Sequence, residues 1–170
     1  GCVLPRGPLR ESPRRLRRVN AVVVNGAITA PGFSLPGMVD RTHFSMSLQP
    51  GDAQPVSGGA VPRPLSAFRG MHVHAVAAIG NPQRFFYTLR GAGLTIHEHP
   101  FPDHHAFKPA DLDFRDELPV IMTEKDAVKC AAFADDRCWF VPVTAEFAER
   151  EARELVDLVL TRAEAYHKHG

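Results

Sequence analysis

The densest set of chemically capable side chains runs from His97 to Phe107, as His-Glu-His-Pro-Phe-Pro-Asp-His-His-Ala-Phe. Four histidines and two carboxylates, Glu98 and Asp103, lie between His97 and His105. Imidazoles titrate near neutrality and carboxylates orient them, so general acid–base work by one histidine is one chemistry open to this stretch. A second is metal binding by Asp103, His104 and His105 with help from His97 or His99, where hard metals favour the carboxylate and softer ones the imidazoles. A third is recognition of phosphate or sugar by protonated histidines. A loop whose polar groups cap a helix and meet water accounts for the same residues without any chemistry.

Position argues for function. Pro100 and Pro102 keep the segment out of a helix interior and out of a central strand. The stretch is therefore expected to be a loop at the end of a strand, the place where open α/β sheets bind ligands. A second polar cluster, Thr123-Glu124-Lys125-Asp126, follows the apolar run Leu118 to Met122. If the two runs are neighbouring parallel strands, both clusters open onto one edge of the sheet. Thr123 and Asp126 are explained as helix caps, whereas Lys125 has no evident structural task. Asn81-Pro82-Gln83-Arg84 opens a helix after Gly80, and its free N–H groups could hold a phosphate, but the sequence alone favours ordinary capping.

The elements around these clusters alternate. His72 to Ile79 reads as a strand, and Asn81 caps a helix that stops at Gly91 or Gly93. Leu94 to Glu98 is the next strand, followed by the histidine-rich loop and a helix opening at Pro109. Leu118 to Met122 is a third strand, with a helix from Thr123 to about Ala134. Cys138 to Val143 is a fourth. Thr144 is expected to cap a last helix, to about Tyr166, with Ala148, Ala152, Leu155, Val156, Val159 and Ala163 as its apolar stripe and Glu149 paired to Arg153 on the other side. This alternation predicts an α/β fold, a mostly parallel sheet flanked by helices, over residues 71–170.

The first 70 residues differ. Ser12-Pro13 starts a short basic helix to about residue 18, and Val19 to Val24 reads as a buried strand. One helix and one strand cannot bury a core, so residues 1–30 read as the tail of a domain. Residues 31–70 are rich in proline and glycine, and His43 to Leu48 alternates with period two. They are expected to form a β-ribbon linker between two domains.

The chain has 170 residues, 44% hydrophobic and 23% charged, as in soluble globular proteins. No apolar run reaches the roughly 20 residues that span a bilayer. The start, Gly-Cys-Val-Leu-Pro-Arg, lacks the order of a secretion signal. Cys2, Cys130 and Cys138 have no metal-ligand spacing and read as reduced thiols of a cytosolic protein. The net charge of +1 hides a split. The first 70 residues are strongly basic and the remainder acidic, which suggests two units and an anionic partner for the first. Arg6, Arg10, Arg14, Arg15, Arg17 and Arg18 suit phosphates or anionic head groups. No aromatic residues interleave with them for base stacking, so nucleic acid is not the expected partner.

Four motifs carry a resemblance: Pro5-Arg6-Gly7-Pro8-Leu9-Arg10-Glu11, Ile79-Gly80-Asn81-Pro82-Gln83-Arg84-Phe85-Phe86, Phe101-Pro102-Asp103-His104-His105-Ala106-Phe107 and Met122-Thr123-Glu124-Lys125-Asp126-Ala127-Val128-Lys129. In this order they resemble the C-terminal half of tetraacyldisaccharide 4′-kinase, the lipid A disaccharide kinase of Gram-negative bacteria. The resemblance implies transfer of the ATP γ-phosphoryl group to the 4′-hydroxyl of a lipid A disaccharide precursor, with Mg²⁺, at the cytoplasmic face of the inner membrane. It implies two α/β domains joined by a two-stranded ribbon, the first carrying the P-loop, the Mg²⁺ ligands and the membrane-associating segment. No Gly-x-x-x-x-Gly-Lys-[Ser/Thr] occurs in this sequence, so the chain is expected to lack that domain and to be inactive alone. By the same resemblance His104 is the catalytic candidate, paired with an aspartate of the other domain that helps deprotonate the acceptor hydroxyl. Asp103 would orient His104. Arg10, Asn81, Arg84 and Lys125 are candidates for phosphate or substrate contact. Two other readings stay open: a metal-dependent phosphoesterase of the Asp-His-His kind, and a non-catalytic module that binds anionic glycolipid.

Overall fold

A computed structural model describes residues 11–26 and 42–167 of the chain. The strands are β1 (Ala21–Asn25), β2 (Thr42–Pro50), β3 (Gln54–Pro55), β4 (His72–Ala77), β5 (Thr95–Pro100), β6 (Val120–Thr123), β7 (Cys138–Val141) and β8 (Val143–Phe147). The helices are α1 (Pro82–Gly91), α2 (Glu124–Cys130) and α3 (Glu149–His167), with 3₁₀ turns at Pro13–Arg18, Leu65–Phe68 and Pro109–Leu112.

The chain divides into two compact units, residues 1–48 with 145–170, and residues 49–144. The sequence reading instead divided the chain after residues 30 and 70. Composition sees where proline and glycine are dense, whereas packing groups the last helix with strands that lie far from it in sequence.

The unit of residues 49–144 is a five-stranded sheet in the order β3-β7-β6-β4-β5. β4 is parallel to both β5 and β6, β6 is parallel to β7, and β3 alone runs antiparallel, against β7. The expected mostly parallel sheet is therefore present. Side chains alternate between its faces. Val73, Ala75 and Ala77 of β4 and Ile121 of β6 pack with Phe85, Phe86 and Leu89 of α1 and with Leu65 and Phe68. Val76, Ala78, Val120, Met122 and Cys138 pack on the opposite face with Ala127 and Cys130 of α2, and with Phe107 and Leu112. Each face buries one apolar layer, the arrangement expected of a sheet covered by helices on both sides.

α1 begins where the sequence says, with Asn81 Oδ1 accepting the Arg84 N–H at 3.4 Å and Pro82 in the first turn. Its stop is Gly93, whose φ of +91° suits glycine; a Cβ there would lie 3.0 Å from Arg69 Cγ. Burial leaves both described cysteines as inert thiols, pushing Cys130 up to about 12 and Cys138 to about 11.

Three expectations fail for physical reasons. His99 and Pro100 are not in the loop: β5 holds His97 and Glu98 as expected but extends to Pro100. β5 is an edge strand, where a proline costs no ladder hydrogen bond. The strands preceding the two polar clusters, β5 and β6, are not neighbours, because β4 lies between them. Thr144 caps nothing: it lies in β8, and the last helix starts at Glu149. The Glu149–Arg153 ion pair forms as expected. The apolar stripe is not covered, since α3 has no buried residue and Val156, Val159 and Leu160 are more than half exposed.

In the other unit, β2 lies between β1 and β8, with β1 parallel to β2. The period-two run His43 to Leu48 is a strand as read, with Phe44 buried. Its neighbour β8 comes from beyond the expected linker, a pairing that local pattern cannot reveal.

Candidate active site

Parallel strands place their carboxyl ends on one sheet edge, and the loops after β4, β5 and β6 leave from there. The loop after β5 turns at Pro102 and presents Asp103 and His104. His104 has φ of +65°, a left-handed conformation that a residue with a side chain seldom holds. Asp103 secures it: one carboxylate oxygen, Oδ1, accepts the His104 N–H at 3.0 Å. The same oxygen accepts from Lys125 Nζ at 3.1 Å, and Oδ2 lies 3.6 Å from His104 Nε2. The hydrogen bond from Lys125, with the His104 ring nearby, holds the Asp103 carboxyl below the usual carboxylate range. Gly80 flanks the pair, with the direction of its absent Cβ ending 4.0 Å from Asp103 Oδ2. The His104 side chain is 79% exposed, open to a substrate or a facing surface.

The adjacent histidine does something else. His105 Nε2 meets Asp111 Oδ2 at 3.0 Å, and its ring stacks on Phe101 with centroids 4.7 Å apart. It also meets Phe107 edge-on at 5.0 Å. His105 is a packing residue, and the neighbouring histidines do not converge. Among the described residues, no group of three or more His, Cys, Asp or Glu is arranged to hold a metal ion.

Asp126 does more than cap a helix. It was expected as part of a helix cap, and Thr123 Oγ1 does accept the Asp126 N–H at 3.3 Å. The carboxylate itself is fully buried and reaches across the fold. Its Oδ2 accepts from the Ala78 N–H at 2.9 Å and from the Thr123 hydroxyl at 2.6 Å, and its Oδ1 pairs with Lys129 Nζ at 2.8 Å. Asp126 therefore ties the end of β4 to the start of α2, fixing two of the loops that frame Asp103. The signal was present as an acid at the N-terminus of a helix, but burial is invisible in one sequence.

Of the other expected contacts, Asn81 serves as the α1 cap, and Arg84 is exposed on the first turn of that helix. Lys125 is engaged by Asp103. Arg10 lies outside the described residues. On the 3₁₀ turn Pro13–Arg18, Arg14, Arg15 and Arg18 are exposed, with Arg15 paired to Glu11 at 3.4 Å.

His74, His97 and His99 form a separate network. The register sets His74 opposite His97 and Val76 opposite His99 on the face of the sheet that also bears α2. His74 Nδ1 lies 2.9 Å from His99 Nε2, and His74 Nε2 lies 3.1 Å from Asp116 Oδ2. An ionised Asp116 only accepts, so His74 Nε2 carries a proton and the 2.9 Å contact between the imidazoles holds one more. Phe114 stacks on both rings, 3.9 Å from His74 and 4.2 Å from His99. Burial first, then the facing His74 and His97, pushes His99 below its ordinary value.

This has a consequence for stability. The unfolded chain takes a proton on His99 near pH 6.5, while the fold resists it. Stability is therefore expected to be full above about pH 6.5 and to fall as pH drops below it, levelling once the folded histidine is protonated. Thermal melts between pH 7.5 and 5 would show this slope, and His99→Asn should flatten it. An unchanged slope in the variant would assign it to other groups. The Asp103 and Asp111 carboxylates, both held low, contribute only at more acid pH.

Comparison with known proteins places this geometry in a family. The model of the family described as tetraacyldisaccharide-1-P 4′-kinase (LpxK) matches residues 1–161. The tetraacyldisaccharide 4′-kinase of Methylobacillus flagellatus is 48% identical over 162 residues, covering 95% of this chain and 45% of that protein. The one of Hahella chejuensis is 43% identical across 100% of this chain and 47% of its own length. A crystal structure of Aquifex aeolicus LpxK, described as an "apo" form in complex with ATP, has the same fold, with a TM-score of 0.65 at 22% identity. It matches 94% of this chain and 47% of its own. The chain thus spans about half the length of the curated relatives it matches. It belongs to the tetraacyldisaccharide-1-P 4′-kinase family.

Proposed function

We propose that this chain is part of a lipid A biosynthesis kinase that transfers the γ-phosphoryl group of ATP to the 4′-hydroxyl of tetraacyldisaccharide 1-phosphate. The observation that carries the reading is the Asp103–His104–Lys125 constellation, displayed at the carboxyl edge of the sheet within a chain that matches the family over residues 1–161. Catalysis of phosphoryl transfer rests on positioning and charge more than on a strong base. His104 is exposed and held in one backbone conformation by Asp103. It can orient a carboxylate from a nucleotide-binding domain so that the carboxylate takes the proton of the acceptor hydroxyl. That domain would supply the P-loop and the Mg²⁺ ligands, and the unit holding β1 and α3 would adjoin it. Arg10, Asn81 and Arg84 remain the proposed contacts to phosphate or substrate. The arginines of the Pro13–Arg18 turn suit the anionic head groups of the inner membrane's cytoplasmic face, where the enzyme would sit peripherally. Among the described residues no helix is long and apolar enough to cross a membrane.

The test uses purified chain, radiolabelled ATP and the disaccharide acceptor. The chain alone is expected to give neither ATP hydrolysis nor phosphorylated product, because its sequence has no P-loop motif. Supplying the remaining half of a relative, fused or co-expressed, should yield 4′-phosphorylated product. Turnover by the chain alone, or none after the other half is supplied, would overturn the reading.

A further inference from the structure

Lys125 was the residue of the Thr-Glu-Lys-Asp cluster without a task, and its surroundings give it one. The left-handed backbone at His104, φ +65°, needs something to hold it, since the side chain is 79% exposed. Two bonds restrain that backbone: the turn bond from the His105 N–H to the Pro102 carbonyl at 3.0 Å, and the bond from the His104 N–H to Asp103 Oδ1 at 3.0 Å, which is the one a side chain supplies. Asp103 is itself about half exposed, with a side chain that would turn freely in water. Lys125 reaches the same oxygen at 3.1 Å from the first turn of α2. α2 in turn is anchored at Asp126, whose buried carboxylate bonds Ala78 and Lys129. A chain of contacts therefore runs from the core through Lys125 and Asp103 to His104.

We infer that Lys125 is a positioning residue that acts through Asp103 to keep His104 in the orientation the phosphoryl-transfer site requires. The inference deepens the kinase reading and rests on it for its catalytic part, while its structural part stands alone. It makes Lys125 a holder of Asp103 rather than a free cation awaiting phosphate. Arginine can keep the charge and donate to the same oxygen, whereas methionine keeps the length and apolar stem without donor or charge.

The structural arm uses this chain, labelled for NMR, with Lys125→Met and Lys125→Arg. In Lys125→Met the Asp103 carboxyl should titrate higher, towards an ordinary aspartate, and the His104 amide resonance should move to that of an amide without a carboxylate acceptor. Lys125→Arg should restore most of both. Neither signal moving in Lys125→Met would overturn the inference. The catalytic arm measures the same variants in the enzyme joined to its other half, beside His104→Ala. Lys125→Met should lower kcat about tenfold or more with KM for ATP unchanged, and Lys125→Arg should recover most of it. A loss confined to KM for ATP would make Lys125 a nucleotide contact and reject the positioning role. If His104→Ala itself costs nothing, the assigned role of His104 fails, while the NMR result still decides whether Lys125 holds the loop.

Discussion

In the enzyme joined to its nucleotide-binding half, His104→Ala is expected to lower kcat by about 10²–10⁴, the usual contribution of a positioned acid–base group. The fold should survive, since the His104 side chain is 79% exposed and its ion-pair partner is the neighbouring Asp103. KM for ATP should change little, because the nucleotide phosphates would lie on the other domain. His105 supplies the internal control. Its ring is occupied by Asp111, Phe101 and Phe107, and it does not share the Asp103 carboxylate. His105→Ala should therefore leave kcat within a few-fold and appear instead as lost stability, about 1–3 kcal/mol for a hydrogen bond to a charged group and its packing. Steady-state kinetics and denaturation of the two variants decide the matter. Equal losses of kcat would reject the role assigned to His104 and return the loop to simple substrate contact.

The second large effect concerns stability. Asp126→Ala should destabilise the unit of residues 49–144 by roughly 3–5 kcal/mol, the cost of breaking a buried ion pair by removing one partner. The substitution strands the Lys129 ammonium, which is only 25% exposed, and the Ala78 N–H, whose acceptor is that carboxylate. Such a loss is a large share of the roughly 5–15 kcal/mol that holds a domain folded. Asp126→Asn keeps an oxygen for Ala78 and should cost less, giving up mainly the charge opposite Lys129. Urea denaturation of this chain gives both values. A change within about 0.5 kcal/mol for the alanine variant, as for an ordinary surface position, would show that the carboxylate carries no such weight.

Much of the site was legible because local chemistry marks it. Prolines around Asp103-His104-His105 exclude a helix or central strand, and that alone puts the cluster at a strand end. Capping by Asn81 and Thr123 depends on residues three apart, so it too can be read from one chain. The alternation of apolar runs with capped helices announces an α/β sheet before any strand is placed beside another. The family motifs add what periodicity cannot, a reason to choose His104 over its neighbours.

Tertiary structure decided the rest. One sequence does not say that β4 separates β5 from β6, because strand order is set by packing between distant segments. The same order makes β5 an edge, which is why His97 and His99 can be strand residues despite Pro100 and why they face His74 instead of joining His104. His104 and His105 meet different fates: the first has φ of +65° and an exposed ring, while the second stacks on Phe101. Asp126 looked like a surface cap, and only burial shows it bonded to Ala78 across the sheet edge. Lys125 acquires its task from Asp103, twenty-two positions away. In each case sequence determined the chemistry a side chain could perform, and the fold determined which partner it met, since partners that are distant in the chain are brought together by burial of the apolar faces between them.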